Sequence, residues 1–226
     1  MNGRPVAVVT PVYRNESTLP SLAARTAAAL DRTGRPWRLR FVVDASPDAS
    51  LAVASGLAAA DGRLGVTALA GNVGQNRALL AGLAAEEDAG SWVCLDADLQ
   101  DPPEAVPVLL ERLAAGDVGV VFAGRRGAYE SRGRLLTGAA HRAVLCRLTG
   151  VPADAGAFLA MDRRSRDALL ALDPPSIVAG VGAARIPAVS VPVARVARVE
   201  GRSAWTASAR LRQSGRTLAW AWRARA

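Results

Sequence analysis

The chain has 226 residues, half of them apolar and only 4% aromatic, so one large domain with a core of Ala, Val, Leu and Gly is expected. Its formal charge is +8 and every basic residue is Arg, a balance that suits phosphate-bearing substrates, anionic membrane or nucleic acid. A single His141 and two cysteines without CxxC spacing, Cys94 and Cys146, exclude a His- or Cys-rich metal centre, and no apolar run reaches the roughly 18–20 residues of a membrane span.

Residues 6–10, "VAVVT", form a continuous apolar run of the kind a buried parallel strand shows. A helix follows over 17–30, with Ser17 or Thr18 as N-cap. A second strand over 37–43 ends at Asp44, and a second helix covers 47–60 with Asp48 near its positive end. The third strand (65–70) and helix (75–87) precede a fourth strand at 91–95, a helix opened by Pro102 and Pro103 and running over 104–115, and a fifth strand at 118–124. Beyond residue 130 the pattern predicts a helix over 131–149, an irregular stretch over 154–162, a short helix to about 172 and a Pro-bearing edge strand over 184–198.

Strict strand–helix alternation over the first 124 residues is the mark of an α/β fold, an open, mostly parallel sheet flanked by helices. Such sheets bind ligands beyond the carboxyl ends of their strands. The polar clusters fall at those places: Pro11, Tyr13 and Glu16 after the first strand, Asp44 and Ser46 after the second, Asp96 and Asp98 after the fourth, Arg125 and Arg126 after the fifth. In "CLDADLQDPPE" (94–104), Asp96 and Asp98 present two carboxylates on one tight turn, and Gln100 offers an amide oxygen. That donor set suits Mg²⁺ or Mn²⁺, hard cations that take one or two carboxylates and complete their shell on substrate phosphates. Asp101 and Glu104 read as structural, one at the turn and one in the first helical turn.

"PVYRNESTLP", "FVVDASPDAS", "GNVGQNRALLAGL" and "DADLQDPPEAVPVLLERL", in this order, resemble family 2 glycosyltransferases of the GT-A fold, and within them the polyprenyl-phosphate (dolichol-phosphate) sugar synthases. The match runs over residues 5 to about 126 and continues loosely to about 205. The resemblance implies an inverting, metal-dependent transfer of a sugar from a UDP- or GDP-linked donor to a polyprenyl phosphate. It implies a nucleotide pocket from Pro11, Tyr13, Glu16, Asp44, Ser46 and Asp96, and a Mg²⁺ or Mn²⁺ site from Asp96, Asp98 and Gln100. Asp98, Arg125, Arg126 and Arg195 would act on the reacting phosphates, and Arg198, Ser203 and Trp205 would face the acceptor. Four features depart from the family pattern. Val43 stands where a first Asp is frequent, Leu159 where a polar or basic residue is, and Ala204 and Trp205 where the family has Lys and Tyr.

The expected organisation is a GT-A domain over 1–200, with a nucleotide-binding half to 126 and an acceptor half over 127–200, followed by a basic amphipathic helix over 201–226. Trp205, Leu211, Leu218 and Trp222 recur there at helical spacing among arginines, so this helix either docks on an anionic membrane or packs on the domain. The expected location is cytoplasmic, with peripheral contact on the inner face of the membrane. A soluble acceptor is the main alternative, and it would want a general base, for which Asp154 and Asp101 are the candidates. A nucleotidyltransferase is disfavoured because "TPVYRNES" has no Gly-rich phosphate loop, and a non-catalytic nucleotide binder because Asp96, Asp98 and Gln100 are all present. Nucleic acid is not an expected partner, since stacking aromatics are lacking.

Overall fold

Val6–Val12 forms β1, the third strand from one edge of a seven-stranded sheet ordered β3-β2-β1-β4-β6-β5-β7 in a computed structural model that describes residues 3–126, 146, 150–195, 215, 217, 220 and 223. The chain builds one wing with β2 (Trp37–Val43) and β3 (Leu64–Ala68), then crosses β1 to β4 (Ser91–Cys94). These four strands pair in parallel. The strand order reverses between β1 and β4, which is where a doubly wound sheet opens its ligand crevice.

Side-chain alternation divides the core into two layers. Val6 and Val8 face a cluster with Leu22, Leu30, Leu39, Phe41, Leu109 and Leu113, under α1 (Leu19–Asp31), α2 (Ser50–Ala60) and α4 (Val106–Ala114). Ala7 and Val9 face the opposite cluster with Leu79, Leu83, Trp92, Leu169 and Ile177, under α3 (Gln75–Ala85), α5 (Arg163–Leu172) and α6 (Ile177–Ala183). Burial on both faces is why β1 and β4 read as apolar runs. Gly82 lets α3 approach the sheet: a Cβ there would collide with Val9 and lie 2.7 Å from Val42 Cγ2. Gly82→Ala should therefore cost about 1–3 kcal/mol of unfolding free energy in a urea titration, despite its better helix propensity.

The expected elements recur with shifted ends. β1 runs on through Pro11 to Val12, because its β4 pairing stops at Val9 and no ladder on that side needs a Pro11 N–H. α2 begins at Ser50 rather than 47, since Asp48 Oδ1 accepts from the Ser50 N–H at 3.2 Å and folds the preceding residues into a turn. The helix expected over 104–115 is a 3-10 turn (Pro103–Ala105) followed by α4. β5 (Val120–Arg126) extends to include both arginines.

The stretch expected to be irregular over 154–162 instead supplies β6 (Leu159–Asp162), which enters antiparallel between β4 and β5. Four residues are too few for a period to declare itself, and β6 owes its place to partners on both sides. Leu159, at the position where the family pattern is polar, sits opposite Cys94 and Phe122 and is fully buried, so here that position belongs to the core. Asp162 caps α5 through a 2.7 Å bond from the Ser165 N–H. α6 was not foreseen. β7 (Ala188–Ala194) is the expected edge strand and pairs in parallel with β5.

Sequence from both sides of residue 126 thus shares one sheet, and β1, β2, β4, β5 and β7 end at the same edge. The helix expected over 131–149 lies outside the described residues except Cys146, which is helical. Of 201–226, helical Thr217 is buried and Trp220 packs on Ala179 of α6. That contact fits a helix packed on the domain; the stripe of Trp205, Leu211, Leu218 and Trp222 lies outside the described residues. No helix among the described residues is long and apolar enough to cross a membrane.

Candidate active site

The β4 strand ends when the Leu95 N–H bonds Val9 O at 3.0 Å, and the chain turns out of the sheet with Asp96, Asp98 and Gln100 half-buried. Three contacts shape this acidic turn. Gln75, first residue of α3, donates from Nε2 to Asp96 Oδ1 at 2.6 Å; the Gln100 N–H donates to Asp98 Oδ1 at 3.1 Å; and Thr18 donates from Oγ1 to Ala97 O at 2.7 Å. Leu99 is buried at φ 58°, a left-handed conformation that a branched side chain adopts only when its surroundings impose it.

Asp101 is buried, but not as a simple turn residue. Arg195, the first residue after β7, donates from Nε to Asp101 Oδ1 at 2.9 Å and from Nη2 to Oδ2 at 3.2 Å. The same Nη2 lies 4.0 Å from Asp96 Oδ2. Burial opposes the guanidinium's charge, yet Asp101, with Asp96 and Asp98 behind it, holds its pKa above the ordinary arginine value. Arg195 thus meets the acidic turn, and Asp101 is what holds it there. Glu104 is structural as expected, in a fork with Arg25 of α1 at 2.8 Å on both arms. Burial pushes the Cys94 thiol up, aided by Asp96, so this cysteine stays a protonated core residue.

On the β1–β2 side of the turn, the loops after these two strands are clasped together. The Arg14 N–H bonds Ser46 Oγ at 2.7 Å, the Glu16 N–H bonds Asp48 Oδ2 at 3.3 Å, and Glu16 Oε2 accepts from the Ala49 N–H at 2.6 Å, at the N-terminus of α2. Burial opposes the Asp48 charge, but hydrogen bonds from Ser46, Ser50 and Glu16 outweigh it and hold the carboxyl below the usual range. Glu16 and Ser46, expected to line a nucleotide pocket, are engaged in this clasp. Asp44 is buried, and its carboxylate takes the N–H groups of Val73 and Gly74 at 2.7 and 2.8 Å. Its role in this structure is to fix the Gly71–Gln75 loop, and through it Gln75 against Asp96. Pro11 and Tyr13 line the same edge, half-buried, with Arg14 over the Tyr13 ring.

Arg14 (φ 59°), Ala45 (φ 48°) and Leu99 put one left-handed non-glycine residue in each of the loops after β1, β2 and β4. Ala45→Gly should raise stability by up to about 1 kcal/mol by urea unfolding, since strain relief exceeds the added chain entropy at that position. Gln75 was missed from sequence because no residue after β3 was singled out, although the strand-end rule applies there equally. Gln75→Leu should lose the orientation of Asp96, and any Mn²⁺ that Asp96 holds should bind about 10–100-fold more weakly, as titrated by electron paramagnetic resonance.

Arg125 and Arg126 end β5 in register with Val193 and Ala194, next to Arg195; their side chains lie outside the described residues, as do Arg198, Ser203 and Trp205. Half-buried Asp154 reaches the same edge: a Cβ on Gly124 of β5 would collide with both its carboxylate and Ser190 Oγ. No described residue hydrogen-bonds or ion-pairs with Asp154. Among the described residues no three His, Cys, Asp or Glu side chains assemble around one point. The donor set is two carboxylates and an amide on one turn, hard oxygen ligands that fit a cation sharing its shell with a diphosphate.

The fold is an α/β sheet whose polar clusters gather beyond its strand ends, and comparison with known proteins gives it a family. The glycosyl transferase family 2 model matches residues 7–166, and the chain belongs to that family. It is 44% identical over 113 residues to the undecaprenyl-phosphate 4-deoxy-4-formamido-L-arabinose transferase of Pseudomonas aeruginosa (strain LESB58), covering 49% of this chain and 33% of that protein. Its likeness to the enzyme of the same name from Pectobacterium carotovorum subsp. carotovorum (strain PC1) is 40% over 165 residues, 70% of this chain and 49% of that one. The chain therefore spans half or less of the curated relatives it matches. Among solved structures, glucosyl-3-phosphoglycerate synthase from Mycobacterium tuberculosis in complex with Mn²⁺ and UDP-glucose superposes with a TM-score of 0.72 at 20% identity, over 98% of this chain and 79% of that one. The fold is thus GT-A, and the chain is a family 2 glycosyltransferase.

Proposed function

We propose that this protein transfers a sugar from a nucleotide-diphosphate donor to a polyprenyl phosphate, with inversion and with a divalent cation. The observation that carries the reading is the acidic turn: Asp96 and Asp98 at the carboxyl end of β4, oriented by Gln75 and the Gln100 N–H and faced by Arg195. Asp96 and Asp98, with the amide oxygen of Gln100, would hold Mg²⁺ or Mn²⁺, as the Mn²⁺ complex of the mycobacterial synthase also suggests. A cation there supplies positive charge to the diphosphate as it leaves. Arg195 adds a fixed guanidinium beside it, and Arg125 and Arg126 end their strand at the same edge. The acceptor phosphate oxygen forms its bond to the anomeric carbon as the bond to the diphosphate breaks. Because that oxygen is already an anion, the chain need only position it, and no side chain has to remove a proton. The acceptor follows the name borne by the curated relatives.

A soluble hydroxyl acceptor is the second reading, and one observation favours it. Of the two carboxylates considered as general base, Asp101 is bound in the Arg195 fork, whereas Asp154 is half-buried at the site edge without a partner among the described residues. The test is a panel of UDP- and GDP-sugars with polyprenyl phosphate, with Mn²⁺, with Mg²⁺ and with EDTA. Nucleoside diphosphate released only with cation and lipid both present supports the first reading. Turnover indifferent to EDTA removes the cation, and turnover indifferent to lipid but lost in Asp154→Asn moves the acceptor to a soluble compound.

A further inference from the structure

Arg195 sits between two claims on its charge. Its Nε and Nη2 form a fork on Asp101, yet Nη2 is also 4.0 Å from Asp96 Oδ2, on the turn that carries Asp98. Both members of the fork are nearly inaccessible, with side chains 7% and 5% exposed, so the guanidinium has little water to turn toward if the fork is lost. Asp96 Oδ2, 4.0 Å from Nη2, is then an acceptor within its reach. A guanidinium on Asp96 would neutralise and block a carboxylate that the function proposed above assigns to a divalent cation. Asp101 and Arg195 are 94 residues apart, so the fork is a tertiary feature that also ties the end of β7 to the acidic turn.

We infer that Asp101 is a positioning residue that holds Arg195 off Asp96 and Asp98, keeping the cation site open while leaving the guanidinium charge next to it. The inference rests on the reading of Asp96 and Asp98 as cation ligands. It assigns the third aspartate of "DADLQD" a part in the reaction without contact to cation or substrate. Directional pairing is what makes the device work: the two parallel bonds of the fork fix the plane of the guanidinium, which a single charge contact would not do.

The test is Mn²⁺ titration of the full chain without donor, with free Mn²⁺ read by electron paramagnetic resonance, alongside thermal melting. Wild type should bind Mn²⁺ and Asp96→Asn should not. Asp101→Asn should bind about tenfold more weakly, the scale of coupling between touching charged neighbours. The double variant Asp101→Asn/Arg195→Met should recover wild-type affinity, because the competing cation is gone. Should Asp101→Asn fail to fold, Arg195→Lys compared with Arg195→Met gives the same reading: lysine keeps the charge without the fork and should bind Mn²⁺ more weakly than the methionine variant. If wild type and Asp96→Asn differ but Asp101→Asn matches wild type, or the double variant stays as weak as the single, Asp101 is structural only and the inference is overturned while the cation reading stands. If wild type binds no Mn²⁺, the cation reading fails and takes the inference with it.

Discussion

Asp98→Ala should lower sugar transfer on the order of 10³-fold while leaving the melting temperature close to that of wild type. The magnitude is that of removing one preorganised group that stabilises developing charge. The small structural cost follows from the position of Asp98, half-buried on a turn where its described bond is local, from the Gln100 N–H two residues away. Neighbouring contacts hold the turn without it: Thr18 on Ala97 O, Gln75 on Asp96 and Arg195 on Asp101. Steady-state transfer rates and a thermal melt on the same preparation check both halves. A large drop in melting temperature would move Asp98 from chemistry to architecture.

Glu86→Ala should show the converse, a loss of about 3–5 kcal/mol in stability with transfer per folded molecule unchanged. Glu86 lies just past the C-terminus of α3, at the sheet edge opposite the acidic turn, with its side chain 2% exposed. Arg40 Nε bonds its Oε1 at 2.6 Å, and Arg38 adds charge at 3.6 Å without a hydrogen bond. The Arg40 guanidinium lies over Gly65, where a Cβ would be 3.2 Å from it, so it is confined as well as paired. Removing the carboxylate leaves that cation, among the described residues, with only Thr67 Oγ1 at 3.4 Å beside it. Urea unfolding measures the loss, and kcat corrected for the folded fraction separates it from any effect on chemistry. A fall in kcat comparable to that of Asp98→Ala would show that the two edges of the sheet are coupled.

The parts legible in the sequence were those written in local periodicity. β1 and β4 are buried on both faces, so their apolar runs announce them, and the strand-end rule brings Asp96 and Asp98 to the edge where Arg195, singled out only by the family resemblance, also lies. β6 was hidden because its four residues have no period of their own and are a strand only between β4 and β5. Hydrogen-bond partners were equally hidden. Thr18 is the N-cap residue of α1, one of the two expected, but its hydroxyl bonds Asn15 O and, 79 residues away, Ala97 O rather than a first-turn N–H. Topology puts Glu16, Asp44 and Ser46 beyond the strand ends, but it does not reveal their engagement in clasping the loops, since polar side chains at strand ends bind backbone N–H groups as readily as ligands. Asp101 reads as a turn residue because its partner Arg195 lies 94 residues on, just past the last strand.

The most direct test of cation-dependent transfer to a polyprenyl phosphate is to follow radiolabel from a nucleotide sugar into an organic extract. The protein is incubated with Mn²⁺, the labelled donor and a short polyprenyl phosphate. Label should enter the lipid phase, and both EDTA and Asp98→Ala should abolish it. Label that stays entirely in the aqueous phase while the donor is consumed would contradict the lipid acceptor, and lipid label that persists in EDTA would contradict the cation site at Asp96 and Asp98.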